Sequence, residues 1–259
     1  MKIFSTYSVK IKHYHHIFKD TVSLYREAVD FLIQVCLKEW ENISCIHGTL
    51  LQQQYIERLC HKTKQNPEVT YDSFDKTFYK FPSYLRRGAI QEAIGKVSSY
   101  QSNLKNWEAS EKEKRGKKPS VPKAGCVYPC MYQTGMYEQT DTYEAKIKVF
   151  IRNTWDWITV QLRKSDMDYI RHHCTGRKKC APTLQKRGRE WCLDFPFEET
   201  VTLKNTDISK QTVLGVDLGI HSAATVSVMQ SDGTVLGKHF LKLPKEYDCL
   251  KHAINRIKK

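Results

Sequence analysis

The chain has 259 residues, 40% hydrophobic and 27% charged, the ordinary balance of a folded soluble protein of one to three domains. No apolar run approaches the roughly 18–20 residues of a membrane span. Met1-Lys2-Ile3-Phe4-Ser5 alternates like a strand and not like a secretion signal, and nine scattered cysteines argue for reduced thiols in a cytoplasm over a disulfide framework. Lys and Arg number 42 against 28 Asp and Glu, so the formal charge is +14, which favours a polyanionic partner, nucleic acid before a membrane surface.

Residues 1–12 place Ile3, Val9 and Ile11 among Lys2, Lys10 and Lys12, which predicts a β-strand. Asp20 is positioned to cap a helix over 21–41, where Val22, Tyr25, Val29, Leu32, Cys36 and Trp40 recur at helical spacing. A second helix is expected over 49–64, and Pro67 closes its neighbourhood. Pro82-Ser83 opens the strongest helix, over 83–110, with Ser83 as its N-cap and an apolar stripe from Ile90 to Trp107. Arg86 and Arg87 sit in its first turn, where the helix dipole disfavours cations. They either point into water or meet phosphate.

Residues 111–123 change character. Lys112, Lys114, Arg115, Lys117, Lys118 and Lys123 face Glu111 and Glu113, among Gly116, Pro119 and Pro122. This is a loop and a candidate domain boundary. From about 125 to 205 the pattern is mainly β: alternation over 145–151, a strand over 157–162 and a short helix over 165–173. A second basic cluster follows, with Arg171, Arg177, Lys178, Lys179, Lys186, Arg187 and Arg189; the last three flank Gly188 in an expected hairpin turn. Short strands separated by turns predict a small barrel. Cys126 with Cys130 and Cys174 with Cys180 lack zinc-knuckle spacing, so no zinc is expected.

Residues 212–243 carry the chemistry. Thr212-Val-Leu-Gly-Val-Asp217-Leu-Gly-Ile220 is an apolar strand with a carboxylate near its end; strands over 222–229 and 234–243 follow, joined by Ser231-Asp232-Gly233, and a helix begins at Lys245. Burying a lone carboxylate is costly, and a metal ion would compensate it. Gly215 and Gly219 leave room for a metal or a nucleic-acid backbone. The bland alternative is that Asp217 caps a strand end by hydrogen bonds.

The string GVDLGIHSAATVSVMQSDG resembles the first RuvC motif of the TnpB-type RNA-guided nucleases of insertion sequences, relatives of the type V CRISPR effectors. Upstream, Trp191-Cys-Leu-Asp-Phe-Pro-Phe197 is similar to that family's last wedge-domain strand, and Phe81-Pro-Ser-Tyr-Leu-Arg-Arg87 with its helix is similar to the helical recognition lobe. The resemblance implies an α+β chain: an OB-like wedge β-barrel over 1–14 and 118–205, an inserted helical lobe over 15–117, and the first hairpins of an RNase H-like (RuvC) nuclease domain over 206–259. It implies guide RNA from the transposon end and double-stranded target DNA as partners, near the nucleoid. Asp217 is the implied catalytic, Mg²⁺-binding residue. Arg86, Arg87, Lys114, Arg115, Lys117, Lys118, Arg177, Lys178, Lys179, Lys186, Arg187 and Arg189 are the expected nucleic-acid contacts.

Family members place a glutamate and a second aspartate downstream, and two-metal cleavage requires carboxylates on both ions. The expectation is therefore a truncated nuclease domain that binds nucleic acid without cutting it. Two rivals stand beside it: a non-catalytic nucleic-acid-binding protein with a RuvC-like remnant, and an actin-like ATPase, which also opens on strand-Asp-Leu-Gly-strand but does so near a domain's start.

Overall fold

The structure is a computed structural model that describes residues 1–13, 16–111, 115–132, 135–202, 207, 209, 211–219 and 222–257. It is a mixed α+β chain with antiparallel sheets, divided into two compact units: residues 2–199, and residues 200–259 together with Met1.

The first unit is built around two helices. α1 (Ile17–Lys38) buries Phe18, Val22, Tyr25, Val29, Leu32 and Cys36, the i, i+3, i+4 face that the sequence predicts. It starts at Ile17, so Asp20 lies inside the first turn instead of capping it, where its charge suits the helix N-terminus. Two short helices, α2 (Trp40–Cys45) and α4 (Ser73–Thr77), flank α3 (Thr49–Cys60). α5 (Ser83–Ala109) packs along α1. Pro82 takes its N-cap position, which makes Ser83 the first helical residue and removes the expected hydroxyl cap. The buried stripe of α5 ends at Val97; Tyr100, Leu104 and Trp107 continue it in sequence but are only partly covered.

β1 (Lys2–Lys10) lies on one edge of β7 (Glu190–Thr200), with β5 (Lys178–Lys179) and β6 (Thr183–Arg187) successive along the other. A second sheet is the antiparallel meander of β2 (Tyr137–Asp141), β3 (Glu144–Ile151) and β4 (Thr154–Gln161). A bridge between Ile11 and Leu162 joins the two sheets, flanked by hydrogen bonds from Lys12 N to the Gln161 carbonyl and from Arg163 N to the Lys10 carbonyl. On the far side a bridge between Cys130 and Thr183 extends the β6 edge. Among the described residues no ladder completes a ring. The strands curl into two joined open sheets, and the expected closed barrel is not formed. α6 (Lys164–His173) follows β4 and rests on β1. Val9, Phe18, Ala145, Ile147, Val149, Trp191, Leu193 and Phe195 belong to one core, which joins helices to sheets.

The second unit is an antiparallel meander, β8 (Thr212–Asp217), β9 (Ala224–Gln230) and β10 (Val235–Leu241), followed by α7 (Pro244–Ile257). Among the described residues β9 is central and β8 is an edge strand. Gly233, at φ +88°, makes the tight β9–β10 turn and donates to the Gln230 carbonyl. The unit is thinly packed: Leu214 is 62% and Leu218 77% exposed, and α7 buries no residue.

Candidate nucleic-acid interface

The expected cations separate into two groups by what surrounds them. Arg86 is buried, 5% exposed, and gives its Nε and one terminal nitrogen to Glu57 Oε1 at 3.1 and 2.9 Å. Its guanidinium is committed to a carboxylate of the fold. Arg87 gives its Nε to the other oxygen of Glu57 at 3.2 Å and stays half exposed. Arg115 donates to the carbonyls of Ser110 (2.8 Å) and Glu108, closing the C-terminal turn of α5, and lies 5.0 Å from the Trp107 ring centroid. Arg177 is held by Ser5 and Glu199, and Arg187 by the buried carboxylate of Asp194 at 2.7 Å. Each of these arginines has a partner within the fold, while Arg87 and Arg187 keep about half of their side chains exposed.

Lys179 is a special case. Its ammonium lies 4.2 Å from the Phe195 ring centroid and 5.5 Å from that of Tyr137, and it donates to Gln139 Oε1 at 2.9 Å. Burial lowers its pKa to about 8, because the charged form loses hydration that one amide oxygen, the Tyr137 hydroxyl at 3.4 Å and two ring faces do not fully replace.

The remaining cations are free to meet solvent. Lys117, Lys118, Lys178, Lys186 and Arg189 are exposed; Lys118 lies over Trp107, Lys186 over Trp191, and Lys178 is 3.8 Å from Glu198. The hairpin expected over 186–189 is tighter than that: Arg187 pairs with Glu190, so Lys186 lies in β6 and Arg189 stands in the two-residue turn beside Gly188, which has φ +59°. Lys114 lies outside the described residues.

Sequence reasoning missed one face. Lys146 and Lys148 of β3 lie on the side of the sheet opposite to Ala145, Ile147 and Val149, paired in register with Thr159 and Trp157 of β4. Lys148 Nζ is 5.8 Å from the Trp157 ring centroid, and Trp157 is 36% exposed. The alternation that identifies β3 already placed these lysines on the outer face; what it lacked was the register that sets Trp157 beside them.

Asp217 ends β8 opposite Thr225 and is exposed, so the premise of a buried carboxylate fails. The absent Cβ at Gly215 is accounted for within the sheet: it would lie 3.2 Å from Ser227 Oγ, and one at Gly219 would lie 3.2 Å from the Ser222 carbonyl. Among the described residues no group of three or more His, Cys, Asp or Glu is placed to hold a metal ion. Of the four cysteines singled out by spacing, Cys174 is buried and Cys130 half-buried, and burial pushes the Cys130 thiol up to about 11, away from the thiolate a metal would need.

Among the described residues no helix is long and apolar enough to cross a membrane. The profile of the Aq_aa04 family matches residues 5–151, which take in β1, the helices of the first unit and β2–β3. A relative from Aquifex aeolicus (strain VF5), the uncharacterized protein aq_aa04, is 52% identical over 50 residues, 19% of this chain and 29% of that protein. The match thus spans under a third of the relative's own length.

Proposed function

The chain belongs to the Aq_aa04 family, and we propose that it is the nucleic-acid-binding portion of a transposon-encoded, RNA-guided DNA endonuclease of the TnpB type, with guide RNA and duplex DNA as partners. On this reading the two joined sheets are a wedge-like, OB-related domain, α1–α5 the recognition lobe, and β8–β10 with α7 the opening of an RNase H-like nuclease domain. The protein acts in the prokaryotic cytoplasm, at the nucleoid.

The observation that carries nucleic-acid binding is the outer face of β3–β4, where Lys146, Lys148 and Trp157 are presented together on a hydrogen-bonded sheet. Cations next to an exposed ring can neutralise phosphate while a base stacks, without regard to sequence. Lys178, Lys186 and Arg189 extend the cationic surface on the other sheet of the same unit. Binding of a structured RNA should weaken by about a thousandfold between about 50 and 200 mM salt. The pair Lys146→Ala and Lys148→Ala, and separately Lys178→Ala with Lys186→Ala, should each weaken binding and flatten the salt slope. An unchanged slope in both variants would remove the interface.

The nuclease half of the reading rests on Asp217 at the end of the first strand of an antiparallel meander that leads into a helix. A two-metal site needs carboxylates on both ions. Among the described residues no group of three or more His, Cys, Asp or Glu is placed to hold a metal ion, so Mg²⁺ chemistry at Asp217 would require further acidic groups. That observation favours a second reading, a non-catalytic nucleic-acid-binding protein with the same fold. Mg²⁺-dependent cleavage of target DNA that is lost in Asp217→Ala supports the nuclease; RNA binding without such cleavage supports the second reading.

A further inference from the structure

We infer that the cavity between α3, the loop over 61–66 and the start of α5 is a pocket for a phosphomonoester. Its volume is about 540 Å³, inside the range of roughly 300–1,000 Å³ typical of small-ligand sites. Three arginines, Arg58, Arg86 and Arg87, line it against a single acidic residue, Glu57. Its histidine, His61, engages Asp75 through Nδ1 at 2.8 Å, which leaves Nε2 for another partner. The wall therefore carries an excess of positive charge in a concave place, where it is least screened.

The pocket is also preorganised. Buried Arg86 holds Glu57 Oε1 with two donors and the Phe81 carbonyl with a third, so the floor is fixed. Glu57 Oε2 takes Arg87 Nε, which orients that guanidinium and leaves its two terminal nitrogens for a ligand. Arg58, on the same helix as Glu57, is exposed and makes no ion pair among the described residues. The loop opposite is braced: Thr63 and Asn66 exchange backbone hydrogen bonds at 3.0 and 3.1 Å, and Asn66 Nδ2 holds the Arg58 carbonyl at 2.7 Å. Gln54 and Gln65 add amide donors at the wall. Two available guanidinium forks with no second acid suit a dianion better than a carboxylate, and planar forks match phosphate oxygens. This site lies on α3 and α5, apart from the β3–β4 face, and does not depend on that face binding RNA.

The test is calorimetric titration of the full chain with inorganic phosphate and with AMP, using acetate as the monoanion control. Saturable binding of phosphate and AMP, weaker by about tenfold or more for each arginine lost in Arg58→Gln and Arg87→Gln, is the expected result. Both side chains are solvent-accessible, so the fold should persist; Gln54→Glu, which adds a second carboxylate at the wall, should weaken binding in the same direction. A second arm compares a short oligonucleotide with and without a 5′-phosphate. Preference for the phosphorylated strand over AMP assigns the pocket to a nucleic-acid end, and equal affinity assigns it to a free nucleotide. No saturable phosphate or AMP binding, or binding unchanged in all three variants, overturns the inference. RNA binding through Lys146 and Lys148 would be untouched by that failure, since neither lysine is altered in these variants.

Discussion

Arg86 and Glu57 form a shielded ion pair across α5 and α3: two guanidinium nitrogens on one carboxylate oxygen, 2.9 and 3.1 Å away, with the arginine side chain 7% and the glutamate 16% exposed. A half-broken buried pair is worse than none, because the surviving charge keeps its desolvation cost and loses its partner. Glu57→Gln should therefore destabilise the first unit by about 3 kcal/mol, read as a lower urea midpoint. Arg86→Met with Glu57→Gln should recover much of that loss. A single variant as stable as the parent would show that water already solvates Arg86.

Lys179 predicts a pH dependence. Its folded pKa is lowered to about 8 from 10.5, so between those values the unfolded chain binds more protons than the folded one. Stability attributable to this lysine then rises with pH across that window, and the cost of its buried charge is fully present below about 8. Lys179→Met, which keeps the chain length against Phe195 and Tyr137 but has no charge, should remove that component. The difference in urea midpoint between Lys179→Met and the parent should favour the variant at neutral pH and shrink as pH rises. A difference that is constant with pH would mean that the ammonium is hydrated.

The elements most legible in the sequence are those whose signal is local. The helix α5 and the Gly188 turn of β6–β7 depend on neighbours a few positions away, and both stand where they are expected, although the stripe of α5 is buried only as far as Val97. Partners distant in sequence were not legible. Nothing near Arg86 announces Glu57, 29 residues earlier, as its counter-ion, and the cradle of Lys179 is assembled from Tyr137 and Phe195 on two other strands. The same limit explains the barrel: alternation reports strands and their faces, whereas closure depends on which edges pair. Asp217 shows the converse error. Apolar neighbours suggested burial, but on a thin meander those neighbours are themselves exposed.

The β3–β4 hairpin turns on Arg152 and Asn153, both left-handed at φ +48° and +60°. Ile151 pairs with Thr154, so the loop has two residues and the twist of a type I′ turn. Arginine is poorly suited to that conformation, and Asn-Gly is the favoured pair. The double variant Arg152→Asn, Asn153→Gly should raise stability by about 1 kcal/mol, and Asn153→Val should lower it. A lower midpoint for the Asn-Gly variant would mean that the turn is of another type.

The last prediction concerns the two meanders. β3 is central, bonded to β2 on one side and β4 on the other, and its inner residues Ala145, Ile147 and Val149 are fully buried. Among the described residues β8 is bonded to β9 alone, and Val213, Leu214 and Val216 are 46%, 62% and 56% exposed. An edge strand leaves every second amide without a ladder partner, and thin packing lowers the cost of opening the rest. Amides over 213–217 should exchange with solvent much faster than those over 145–151 when followed by hydrogen–deuterium exchange. The gap should remain when the protein is diluted until it is monomeric. Equal protection of the two strands in a confirmed monomer would require another segment of this chain to cover β8, and would end the description of that strand as an open edge.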